Sequence, residues 1–493
     1  MYVLNIHNME EILKLRNEIP KFFEELNYEL YLNYSGQKDS LETSKIYAKY
    51  PQLKDKEFIF KLKSLSDRSA RYLASFLMEN YIWSSVSKIR DKISTLETEI
   101  ELEYRGKKIS YRTAPNFIAN EENRVERRKL YYARIKASYK INRYLIMQWR
   151  KFHELSKELG FANYIEYCAY KNFKNYDDLR KQAELFLDRT KSLYIDLIRE
   201  QFKKIGLDFD NSERHDLAFF FRASKFDKLF PKERMLETFN NFLENFKLSL
   251  KNYPSIILDL EEREKKTTRA AVFPVDIPNR IHLVVYPKGG QDDYLALFHE
   301  AGHAFHFANI SKDTLPEFKY IGPSSLTETF AFLFEYLLIQ RSFLKRYLVV
   351  DEEYLRFQYL YKLYFLRRYC SKLIYEMKLN SKEIDKKSGY EYKRIMEVNM
   401  ITKHERASFL SDIDPELYTA EYLEAWFFES QLRTHLIEKF GEEWFTSEKA
   451  LNYLKKIWSR GFEHTVEEIA KEIGFKGIDS SFIYEEIVKN LSK

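Results

Sequence analysis

The sequence is short of chain breakers. Thirteen glycines and eleven prolines stand among 493 residues, less than half the average usage of about 12% for the pair. Turns must be few and regular segments long, so the composition predicts a mainly α chain. Cysteine is scarcer still, with only Cys168 and Cys370. They lack paired spacing, which excludes a disulfide framework and a thiolate zinc site and favours a reducing, cytoplasmic setting. Long apolar runs are missing as well. The most apolar stretch, TFAFLFEYLLI, is too short to span a bilayer and carries Glu335. The first residues, MYVLNIHNMEEILKLRNEIP, hold acidic groups where a signal peptide is apolar. No membrane partner is expected.

What is plentiful is aromatic and charged. Aromatics reach 16% and charged residues 32%, which excludes a disordered composition and predicts bulky cores. A net charge of +6 over this length permits nucleic-acid affinity without demanding it. Residues 124–151 carry ten Lys and Arg interleaved with aromatics, a pattern open to two readings. The favoured one is a helix with a solvated basic face and an inward-packed aromatic one, so no nucleic-acid partner is expected; the alternative is a nucleic-acid or lipid surface. The helical pattern breaks at Gly160, which suggests a helical lobe over 1–158 and a second over 159–493. The first 150 or so residues read as consecutive amphipathic helices. The texture changes in TTRAAVFPVDIPNRIHLVVY (267–286), where β-branched and aromatic runs flank a Pro-Asn turn and predict a hairpin. Gly289-Gly290 then ends the strand, Asp292 or Asp293 supplies an N-cap, and a helix begins.

That helix contains His299, Glu300 and His303. Positions i and i+4 share one helical face, so two imidazoles can meet one metal ion while the intervening glutamate reaches a water on it. A catalytic zinc needs a third protein ligand and an open fourth position. A histidine six residues after His303 is excluded, because that position is Asn309. The next helix, in GPSSLTETFAFLFEYLLIQ, presents Glu328, 25 residues past His303, with Glu335 seven further on. Glu328 is the third ligand in this reading; the alternative is a capping role, since Ser325-x-x-Glu328 has capping-box spacing. Glu317 is another acidic candidate, with no helix to aim it. Glu335 interrupts an apolar face, either to hold a ligating imidazole from behind or to pair with a Lys or Arg.

The run His299-Glu300-Ala301-Gly302-His303-Ala304-Phe305-His306, with Glu328 and Glu335 at these intervals, resembles the thimet oligopeptidase, neurolysin and oligoendopeptidase F family of zinc metallopeptidases. The resemblance covers residues 267–340, and more loosely 412–445. It implies a mainly α, two-lobed zincin-type body with a deep channel and a small sheet beside the active-site helix. It also implies one Zn2+ per chain and hydrolysis of short unstructured oligopeptides, with Glu300 as general base. The predicted hairpin then looks like an edge along which a peptide adds as a strand. The family's oxyanion tyrosines lie in a Tyr-x-Ala-x-Tyr pattern, matched here by Tyr418 and Tyr422. The family's preceding histidine is replaced by Ile413. A zinc carboxypeptidase of the Taq type is similar in texture, but its glutamate stands in His-Glu-Ser, whereas Glu328 stands in Leu-Thr-Glu-Thr. A helical nucleic-acid-binding protein with a structural metal is the alternative from another class, and it must explain a site with too few ligands to close around zinc.

Overall fold

Long helices carry most of the chain, and two small sheets interrupt them. The structure, a computed structural model, describes residues 6–492 apart from 39, 268 and 386. The first part comprises α1 (Ile6–Tyr34), α2 (Arg68–Glu99), the strands β1 (Glu101–Tyr104) and β2 (Lys107–Ser110), α3 (Arg124–Glu158) and α4 (Tyr164–Asn172). The β1–β2 hairpin corrects the expectation of uninterrupted helices. Arg105 and Gly106 both take positive φ, 49° and 75°, at its turn, the geometry that suits the twist of a two-residue hairpin. A lone Arg-Gly pair among charged residues gave too weak a turn signal to reveal it.

Helix α3 holds the basic, aromatic segment. Asn123 starts it by accepting from the Val125 and Glu126 amides. Leu130, Tyr131, Trp149 and Phe152 are buried. Of its first arginines only Arg127 is buried, 2.9 Å from the buried Asp216; Arg124 and Arg128 reach Asp216 and Glu213 at 2.8 and 3.0 Å from the exposed side. The basic run thus begins with arginines held in ion pairs by buried carboxylates. A continuous apolar cluster extends from Leu15 to Leu491 and crosses the break at Gly160; Phe152 of α3 stacks on Tyr164 of α4 with centroids 5.6 Å apart.

The second part is built around the strands β3 (Ile256–Asp259), β4 (Ala271–Asp276) and β5 (Arg280–Val284). β5 is central, antiparallel to β4 and parallel to β3. The hairpin of β4 and β5 turns at Ile277–Asn279, where the sequence places it. The parallel partner β3 was not visible, because a four-residue run carries no period. β4 is an edge strand, but α1 lies along it. Asn27 Nδ2 donates to the Pro274 carbonyl at 2.8 Å, and the Tyr34 hydroxyl to the Ala270 carbonyl at 3.5 Å. Helix α1 thus covers part of that edge.

Then follow α5 (Gln291–Ala308), α6 (Pro316–Tyr320), α7 (Ser324–Glu335), α8 (Glu352–Asn380) and α9 (Tyr418–Phe440). The start of α5 departs from the expected cap: Gly290, at φ 96°, occupies the cap position. Asp293 instead reaches back to the Lys288 and Gly289 amides at 2.5 and 2.7 Å, closing the loop that leads in from β5. Helices α5 and α7 cross in close contact at Gly302. A β-carbon there would stand 2.3 Å from the Phe330 carbonyl oxygen and 2.6 Å from Ala331 Cα. Backbone atoms cannot yield as a side-chain tip can. Gly302→Ala is therefore expected to force the helices apart and lower the melting temperature by several degrees. A thermal melt followed by circular dichroism checks it.

Candidate active site

The close crossing at Gly302 brings together three side-chain atoms that could hold a metal ion. His299 Nε2 and His303 Nε2 lie 3.4 and 3.7 Å from Glu328 Oε2. Among the described residues this is the one group of three or more His, Cys, Asp or Glu that could hold a metal ion. The back of each ligand is fixed. His299 Nδ1 lies 2.7 Å from Glu335 Oε2, and His303 Nδ1 lies 2.7 Å from Thr327 Oγ1. With the Nδ1 protons donated there, both Nε2 lone pairs face inward. Glu328 Oε1 accepts from the Tyr418 hydroxyl at 2.9 Å, while the buried Oε2 has no hydrogen-bond partner among the described residues. A buried carboxylate oxygen left bare opposite two free imidazole nitrogens is the arrangement a cation completes.

The capping alternative for Glu328 is answered by another carboxylate. Glu421 Oε2 accepts the Ser325 amide at the start of α7 at 2.8 Å, and Lys174 donates to Ser325 Oγ at 2.9 Å. The helix end is satisfied without Glu328, which is free to turn toward the histidines. Glu317 is also accounted for elsewhere. It sits on the short α6, fully buried, and accepts from Arg16 of α1 at 2.6 Å and from Ser69. His306 is buried among Phe307, Phe330 and Phe462, with neither ring nitrogen hydrogen-bonded. Burial pushes it down to about 3, so it packs as a neutral ring.

Charge is unevenly distributed around the cluster. Burial opposes a charged His299, yet Glu328 and Glu335 on either side raise its pKa well above the ordinary imidazole range. His303, buried and with Thr327 rather than a carboxylate behind it, falls to about 4. Burial works to raise Glu328, but the two imidazoles facing it, His299 first, hold it below the usual carboxylate range. The carboxylate of Glu328 thus faces both imidazoles where a cation would sit. Glu300 lies beside it; burial, with Glu328 nearby, pushes it up to about 7, the range suited to a proton carrier near neutrality.

The two tyrosines have different surroundings. Tyr418 is bound to Glu328. Tyr422, one turn along α9, has no hydrogen bond among the described residues and lines a cavity of about 410 Å³ with His299, Glu300 and Glu335. Ile413 is buried and brings no polar group to the site. The reading from sequence missed Thr327, Glu421, Lys174 and Arg269, which precedes β4 and lines the same cavity. Only tertiary contact distinguishes these residues from ordinary polar neighbours, so no spacing rule could have found them.

No protein-family model and no curated relative matches the chain by sequence. Solved structures match it by fold. One described as an oligoendopeptidase F from Bacillus anthracis str. Ames superposes with TM-score 0.63 at 15% identity, over 96% of this chain and 84% of that one. A second oligoendopeptidase F structure gives 0.72 at 13%, over 100% and 97%. The fold is that of oligoendopeptidase F. PZ peptidase A, solved with an inhibitor, gives 0.72 at 14%, also over 100% and 97%. The expected architecture, mainly α and two-lobed with a small sheet beside the helix of His299, is thus the oligoendopeptidase F architecture along almost the whole chain. No helix among the described residues is long and apolar enough to cross a membrane.

Proposed function

We propose that the protein is a zinc-dependent endopeptidase acting on short, unstructured peptides. The observation that carries this reading is the convergence of His299 Nε2, His303 Nε2 and the bare Glu328 Oε2, with Glu300 alongside. Two imidazoles and one carboxylate suit zinc and leave a coordination position open. A zinc ion held there supplies a Lewis acid for the scissile carbonyl and lowers the pKa of a water.

The chain's own groups do the remaining work. Glu300 accepts the proton of the attacking water and passes it to the leaving amine. Tyr422 donates to the carbonyl oxygen as negative charge develops on it, while Tyr418 and Glu335 hold Glu328 and His299 in place. His299 and His303 are only 17% and 13% exposed, so an extended chain can reach them and a folded domain cannot. Tyr422→Phe is expected to lower kcat about 100-fold with metal content unchanged, read from steady-state kinetics beside metal analysis.

The decisive experiment digests a library of C-terminally amidated peptides with and without a chelator, read by mass spectrometry. Internal cuts that disappear with the chelator and return with added zinc support the endopeptidase. No cuts in amidated peptides, but trimming of free ones, would transfer the assignment to a carboxypeptidase.

A further inference from the structure

Tyr422 faces the cavity beside Glu300, whereas Tyr418 lines a second, smaller recess of about 230 Å³. Three carboxylates, Glu79 of α2, Glu416 and Glu421, line this recess against a single ammonium, Lys171 of α4. Lys171 bridges two of them, 3.0 Å from Glu79 and bonded to Glu416. Glu416 is complete, accepting also from Trp83 Nε1 at 3.2 Å and from the Tyr167 hydroxyl at 3.3 Å. The other two are not. Among the described residues Glu79 has no other ion pair, and its side chain is 39% exposed. Glu421 is 2% exposed; its Oε2 takes the Ser325 amide, but its Oε1 is buried without a partner among the described residues. The neighbouring Lys174 is shared between Glu424 and Glu421 Oε2, the latter at 3.4 Å, so two ammonium groups stand among four carboxylates and the recess keeps an excess of acidic groups and a bare acceptor. Such a site calls for a donor carrying positive charge.

The walls fit the same ligand. Phe23 stacks on Tyr320 and meets Phe76, with centroids 5.3 and 5.5 Å apart, and all three rings line the recess. Rings of this kind cover an aliphatic stem and attract a cation at its end. The wall at Glu416 is fixed in place. Glu416 and Leu417 both hold left-handed backbone, φ 61° and 55°, rare for residues with side chains. Tyr164 accepts the Glu416 amide at 3.0 Å, and Asn172 donates to its carbonyl at 3.2 Å. Two residues on, the Tyr418 hydroxyl lies 2.9 Å from Glu328, so the recess adjoins the proposed reaction centre.

We propose that this recess is the subsite for a lysine or arginine side chain of a peptide bound at the metal site. The inference rests on the peptidase reading and narrows it to peptides with a basic residue close to the scissile bond. Full-length Glu300→Gln protein provides an uncut complex for the test. One neutral fluorescent peptide is compared with a series carrying lysine in place of norleucine at each position, and binding is read by anisotropy. At one position lysine is expected to tighten binding about 10-fold or more. Adding Glu79→Gln should bring that preference close to unity, and adding Glu79→Lys should invert it; circular dichroism melts confirm that both variants fold. If no position prefers lysine, or if the preference survives in both folded variants, the subsite is overturned. The peptidase reading fails by a separate result, wild-type protein that cuts none of these peptides, and neither failure mimics the other.

Discussion

Glu300→Gln protein is expected to bind one equivalent of zinc with nearly unchanged affinity while peptide cleavage falls at least about 1,000-fold. The substitution keeps shape and burial and removes only the capacity to accept a proton. Glu300 is not among the atoms that converge on Glu328 Oε2, so metal retention follows from the geometry. The large loss follows because, among the described residues, the other carboxylates at the cluster are tied to its imidazoles. Glu335 is bonded to His299, and Glu328 faces both imidazoles. Metal analysis and single-turnover cleavage on the same preparation separate the two effects. Near-normal turnover would remove Glu300 from the proton pathway and leave the cluster as a metal site without the proposed chemistry.

Much of this centre was legible in the sequence because helical geometry is local. The spacing of His299 and His303 fixes their common face, whereas the close passage of another backbone at Gly302 shows only in the fold. Long helices followed from the same scarcity, and the β4–β5 hairpin from its β-branched alternation and turn. What was not legible depends on tertiary contact. The β1–β2 hairpin turns on two residues, and β3 pairs in parallel from far away in sequence. The oxygen that relieves Glu328 of capping comes from Glu421, 96 positions from Ser325. The difference between Tyr418 and Tyr422 is likewise decided by which hydroxyl reaches Glu328. The covering of β4 by α1 could not be foreseen, since the side chains of Asn27 and Tyr34 carry no periodic signal.

Glu328→Ala tests the link between packing and metal directly. With the carboxylate gone, two imidazoles remain, and zinc affinity is expected to fall well beyond the roughly 10- to 100-fold typical of losing a group behind a ligand. After dialysis against a weak chelator, metal content should approach zero. Stability changes in two opposed ways: the Tyr418 hydroxyl loses its acceptor, which costs about 1–3 kcal/mol, while a buried anion is removed. Melting of the metal-free protein should therefore shift little, and the stabilisation that zinc gives the wild type by mass action should vanish. A capping glutamate would produce the converse, a loss of about 1 kcal/mol with metal retained. Full stoichiometric zinc in Glu328→Ala would return Glu328 to that role. Glu421→Gln is the matched control: it keeps an oxygen for the Ser325 amide, so a fall in zinc affinity there, smaller than for Glu328→Ala, would show that its charge, through Lys174, helps set where α7 begins and so where Glu328 points.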